Sequence, residues 1–298
     1  MKKLILIVLC LALFAVQTSY ANPKFKDKTA NQWLDSGLFN MRQEQYVKAC
    51  NDFTNAINLA PDEAVLYYSR GVAYLYNIQF DLAYQDFSQA VLLTDDDANY
   101  YFAKATTKLF IDKIANDEIM ADYNKAISLQ ANDSKLYDGR GKAYFTLQQY
   151  DKAIADYTTA LKIKSHYVKA YTNRAESYIN TKQYDLAKTD LEKALQLSSN
   201  NATTYYTLGL LYKELQQIDL AIENFNKALD IDPKYPDPYF AKAQIYGQYQ
   251  EPGQRLLAIN NYQLFIETAS KNTNLDYCLN DYRDKIIFAQ QIIPELHK

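Results

Sequence analysis

The chain has 298 residues, with 32 Lys and Arg against 35 Asp and Glu, for a formal net charge of −3. That balance lacks the basic excess with which proteins meet nucleic acid, so a nucleic-acid partner is not expected. With only 7 Gly and 7 Pro there are few turn formers, and a helix-rich chain is expected.

Residues 1–21, MKKLILIVLCLALFAVQTSYA, differ from the rest. Two lysines precede an apolar run from Leu4 to Val16, and Ser19-Tyr20-Ala21 supplies a small-x-small site, the layout of a secretory signal peptide cleaved after Ala21. The run is short for a membrane span, which takes about 20 apolar residues. An uncleaved anchor is the alternative and the only membrane contact the sequence offers. Leu9 stands before Cys10 where a lipoprotein site usually has a small residue. After an N-terminal extension, residues 22–29, the mature chain holds Cys50 and Cys278. An oxidising compartment permits them to pair, but they lie near opposite ends, so two separate buried thiols are expected. His166 and His297 have no partner at metal-ligand spacing, so no metal or cofactor is expected.

From residue 30 to 272 one pattern recurs. AYFTLQQYDKAIADYTTALKI at Ala143–Ile163 is nearly repeated by LYKELQQIDLAIENFNKALDI at Leu211–Ile231, 68 residues on. The first copy of the pattern has Trp33 and Gly37, then Ala49, Phe53, Ala56 and Pro61. The second has Tyr67, Gly71 and Tyr74, then Ala83, Phe87 and Ala90. The third opens with Tyr101 and Ala105; its second helix, with Tyr123 and Ala126, arrives two residues late, and Lys108 replaces a Tyr. The fourth has Tyr137, Gly141, Tyr144, Ala153 and Tyr157, the fifth Tyr171, Ala175, Tyr178, Ala187 and Leu191. The sixth has Tyr205, Gly209, Tyr212, Ala221 and Phe225. The seventh has Tyr239, Ala243 and Tyr246, then an insertion in GQYQEPGQR before Ala258, Tyr262 and Phe265. Residues 273–298 read as a capping helix, from about Leu275 to Leu296 and ended near Pro294.

These residues resemble the tetratricopeptide family, a 34-residue helix–turn–helix repeat. The resemblance implies an all-α, right-handed α-solenoid of about seven stacked repeats with a C-terminal capping helix. Each helix pair has too little core alone, so the glycines and alanines would allow close helix approach and the aromatics would fill the space between. Arg70, Arg140 and Arg174 precede the small residue of the first helix, and Asp86, Asp156 and Asp190 precede the core residue of the second. The readings are solvated charges or an ion pair, within a repeat or across to a neighbour.

In this family first helices line a concave groove that binds a peptide or protein. Helical phase from the Tyr67–Gly71–Tyr74 stripe places Tyr68 and Val72 there, then Asp138 and Lys142, Thr172 and Glu176, Tyr206, Leu210 and Lys213, and Phe240 and Gln244. Asn173 matches the family's Asn in Y-x-N-R-A. The carboxylate clamp of chaperone-binding members does not carry over, because Asp138 stands where Lys is needed. The expectation is a non-enzymatic scaffold, periplasmic, in the cell envelope or secreted, binding a protein or peptide in the groove. The alternative is an accessory or carrier protein holding a glycan or small molecule against groove aromatics.

Overall fold

The computed structural model describes residues 28–111, 115–271 and 279–297. The expected signal peptide, its cleavage site, Cys278 and the start of the expected capping segment lie outside the described residues. Among the described residues there are fifteen helices and no strand. They form seven helical hairpins: α1 (Ala30–Arg42) with α2 (Tyr46–Leu59), α3 (Ala64–Tyr76) with α4 (Phe80–Leu93), α5 (Ala98–Lys108) with α6 (Asn116–Leu129), and α7 (Ser134–Thr146) with α8 (Tyr150–Ile163). Then follow α9 (Val168–Asn180) with α10 (Tyr184–Leu197), α11 (Ala202–Glu214) with α12 (Ile218–Ile231), α13 (Pro236–Tyr246) with α14 (Pro252–Lys271), and finally α15 (Leu279–Leu296). The fold is an all-α solenoid of repeats. It divides into two compact bodies, Met1–Arg140 and Gly141–Lys298.

The glycines serve close approach. A Cβ on Gly37 would stand 2.4 Å from the Phe53 ring, and one on Gly209 2.4 Å from Phe225. No real Cβ sits that close, so these first helices need Gly where the aromatic of their own second helix presses against them, while the third, fifth and seventh repeats place Ala105, Ala175 and Ala243 there. Ala49, Ala83, Ala153, Ala187 and Ala221 have no exposed surface.

The turn inside most hairpins is three residues, and its middle residue is left-handed without being Gly. Glu44, Ile78, Gln148, Lys182 and Gln216 have φ between 56° and 67°. The bend lets the next amide reach back five residues: Gln79 N donates to Tyr74 O at 2.9 Å and Gln183 N to Tyr178 O at 2.8 Å. Those bonds satisfy carbonyls that a helix end leaves open.

The Arg–Asp pattern is an ion pair that also crosses to the preceding repeat. Arg70 donates from Nε and Nη2 to Asp86, both at 2.8 Å, and from Nη1 to Thr54 of α2 at 3.1 Å. Arg174 repeats this with Asp190 at 2.7 Å and Thr158 of α8 at 2.9 Å. Each guanidinium thus ties three helices. Arg140 and Asp156 belong to different bodies; within its own, Arg140 donates to Asn124 at 2.6 Å. Lys242 makes the backward bond alone, to Asn226 at 2.7 Å. Where the sixth repeat has Leu208, Asn224 turns back to the Leu220 carbonyl of its own helix at 2.8 Å. The first repeat keeps the site with a hydroxyl, Ser36 donating to Asp52 at 2.8 Å.

This arrangement adds to the reading of the tyrosines as packing residues. Tyr67 and Tyr74 are half-buried rings flanking Arg70, at 5.8 and 5.6 Å from its guanidinium carbon, and Tyr171 and Tyr178 flank Arg174 at 5.8 Å each. They cover the guanidinium, a position in which a cation gains from the ring face, while Tyr67 and Tyr178 also pack against the buried cores.

The irregular repeats absorb their insertions locally. In the third, α5 is 11 residues long against 13 for α3, and α6 starts two residues late. The buried Lys108 that replaces the expected Tyr reaches Asp122 at 2.8 Å and the Glu118 carbonyl at 3.1 Å. Lys104 meets the same Asp122 at 3.4 Å. In the seventh, residues 247–251 form a longer turn and α14 extends to 20 residues. Pro294 lies inside the last turns of α15, which runs on to Leu296, so it does not end the helix.

Candidate protein-binding face

Neighbouring first helices lie side by side, α9 on α11 in the C-terminal body and α3 on α5 in the N-terminal body. The structure corrects several of the groove assignments. Tyr68 is buried between Phe87, 5.7 Å away, and Tyr100 of α5, 5.0 Å away, and Val72 has no exposed surface. Asp138 is buried as well. Phe102, at the same phase, fills the space a Cβ on Gly139 of α7 would need. The physical reason is the stacking. One residue turns the helix by about 100°, so a position next to the hairpin stripe still falls within the arc covered by the next first helix.

The same seam holds in the C-terminal body. Thr172 and Asn173 are buried, and the Thr172 hydroxyl meets that of Thr204 in α11 at 3.0 Å. Tyr206 is half-buried against Phe225 at 5.8 Å and Tyr235 at 5.3 Å. Burial, with the nearby Asp237 and Glu176 carboxylates adding, holds its phenol well above the ordinary range. Phe240 lies 4.9 Å from Phe265 and 6.1 Å from Phe288 of α15, with Lys285 over its face at 5.6 Å. Tyr206 and Phe240 are therefore not a pair of open groove rings: one packs within its hairpin and the other beneath the last helix. Leu210 packs against the clusters around both Leu191 and Phe225. The half-exposed candidates are polar: Lys142, Glu176, Lys213 and Gln244. Burial pushes the Glu176 carboxyl up to about 7.

Two of these, Lys213 and Gln244, come together. They line a cleft of about 330 Å³ with Gly247, Gln248, Tyr262, Phe288, Ile292 and Leu296. Lys213 comes from the end of α11 and Gln244 from the end of α13. The opposite wall is α15, which sequence reasoning read only as a cap. Its Tyr282 hydroxyl donates to Asp237 at 2.5 Å and Lys285 to the other Asp237 oxygen at 3.2 Å, while Tyr282 and Ala289 enter the core beside Tyr262, Phe265 and Ala269. The spacing of Tyr282, Ile286, Ala289 and Ile293, an apolar stripe at helical period, signalled the face by which α15 docks, and the cleft wall lies beside that face. Apolar walls, two amides and an ammonium are groups suited to binding.

Comparison with known proteins agrees with this architecture. Residues 141–181 match a model described as a TPR repeat and residues 166–234 one described as a tetratricopeptide repeat. Yeast Tom70 superposes with a TM-score of 0.66 at 16% identity, over 98% of this chain and 69% of that one. PilW, a widely conserved type IV pilus biogenesis factor, gives 0.61 at 19% identity, over 69% of this chain and 94% of that one. A chain of the Cut9–Hcn1 APC/C hetero-tetramer gives 0.59 at 20% identity, over 69% of this chain, which spans only 40% of that one. At these identities the likeness concerns the fold. A search of curated proteins finds no match. Over residues 141–234 both matches identify tetratricopeptide repeats, and the hairpins and glycine–aromatic contacts on either side of that stretch have the same form.

Proposed function

We propose that this protein is a non-enzymatic scaffold, exported to the cell envelope or secreted, that holds a protein or peptide partner on the first-helix face of its C-terminal body. The observation that carries this reading is the cleft. Polar side chains from α11 and α13 meet there, over an apolar wall that includes Phe288, which is 44% exposed. An exposed aromatic beside convergent polar groups is the usual composition of an interface centre. Export rests on the leader at residues 1–21. The buried state of Tyr68 and the packing of Tyr206 and Phe240 support a protein or peptide over a glycan or small molecule held against those rings.

The test is affinity purification from the envelope fraction with the wild type and with Gln244→Arg, which crowds the cleft. A partner held by the wild type and lost by the variant supports the reading. A partner held equally by both places binding elsewhere.

A further inference from the structure

Lys213 is a half-buried lysine without an ion-pair or hydrogen-bond partner among the described residues. Three other lysines of the same body are engaged, Lys227 with Glu223 at 2.7 Å, Lys242 with Asn226 at 2.7 Å and Lys285 with Asp237 at 3.2 Å, and Lys162, Lys182 and Lys188, unpartnered among the described residues, are exposed, unlike Lys213. The Gln244 and Gln248 amides beside it likewise make no side-chain hydrogen bond among the described residues. Lys213 is the only charged residue lining the cleft among the described residues, and Phe288, Ile292 and Leu296 give it apolar surface. A cation partly withdrawn from water gains from a counter-charge, and an unpaired amide gains from a backbone.

Building on the proposed partner-binding role, we infer that the cleft recognises an extended peptide segment in which an acidic side chain neighbours a bulky apolar one. The carboxylate sits on Lys213. The peptide backbone exchanges hydrogen bonds with Gln244 and Gln248, and the apolar side chain lies on Phe288 and Ile292. The acidic group is a side chain within the segment, because among the described residues the cleft offers one cation and no second to grip a terminal carboxylate from both sides.

The experiment pans a phage-displayed random heptapeptide library on the mature chain, then measures the enriched peptide by fluorescence anisotropy. Enriched sequences should pair Asp or Glu with Leu, Ile, Phe or Met. Lys213→Glu should weaken binding by about tenfold or more, and Lys213→Gln by less. Because Lys213 has no partner to lose, both variants should melt within about 2 °C of the wild type. Amidating the peptide's C-terminus should leave its affinity within about twofold. No enrichment, enrichment of basic peptides, indifference to Lys213→Glu or loss of binding on amidation would each overturn the inference. If a native partner still crosslinks to the cleft while these arms fail, only the assigned chemistry is wrong. If no partner reaches the cleft, the broader reading fails with it.

Discussion

Arg174 grips Asp190 with two hydrogen bonds of 2.7 Å, and its third nitrogen reaches Thr158 of the preceding hairpin. The side chains retain 17% and 6% of their exposure, so the pair is largely withdrawn from water. Removing one partner strands the other, which makes such a pair costly to break even where its net contribution is small. A double-mutant cycle with Arg174→Ala and Asp190→Ala should show a coupling of about 1–3 kcal/mol in chemical denaturation. Additive losses would mean that the charges are solvated.

Phe240 is expected to act as packing. It lies among Tyr262, Phe265 and Phe288, so Phe240→Ala should cost about 2–4 kcal/mol and loosen α15. Thermal melting together with amide exchange over residues 282–296 reads this directly. A variant as stable as the wild type would return Phe240 to the open face.

Ile78 sits at φ 67°, a conformation that crowds a β-branched side chain. Ile78→Gly should raise stability by about 1 kcal/mol, the left-handed penalty less the entropy Gly adds to the unfolded chain. Equilibrium denaturation checks it; a loss would show that the half-buried Ile78 side chain contributes more by packing than it costs in strain.

Cys50 is a buried free thiol. Burial pushes its pKa up to about 11, with Arg70 opposing. Thiolate is the reactive form. Iodoacetamide at pH 8 should therefore leave the Cys50 peptide unlabelled in the native protein and label it after denaturation, as followed by mass spectrometry. Rapid native labelling would show that this part of α2 opens readily.

The hairpins were legible because their causes are local. Gly37 and Gly209 mark where an aromatic presses on a helix, and the fully buried Ala49 and Ala221 sit where the helices touch. The Arg–Asp pairing was legible in its spacing, but its third bond was not, because Thr54 and Thr158 carry no mark that separates them from surface threonines. The turns were hidden for a related reason: Glu44, Ile78 and Gln148 take the left-handed conformation without the Gly that signals it. The groove assignments failed at Tyr68 and Val72 because helical phase gives a direction from the axis and says nothing about how wide an arc the neighbouring helix covers. That same phase placed Lys213 and Gln244 on the first-helix face, where both are half-exposed, whereas the wall built by Phe288 and Ile292 depends on where α15 docks, a long-range contact outside any repeat.

The central claim is that a partner occupies the cleft between Lys213, Gln244 and α15. The most direct measurement places a photo-crosslinking residue at Gln244, and as a control at the exposed Lys193 of α10, and irradiates cells producing the protein. The account predicts a discrete crosslinked partner from Gln244, lost when Lys213→Glu is added, and none from Lys193. The same partner crosslinked from Lys193 alone, or from Gln244 regardless of Lys213→Glu, would contradict it.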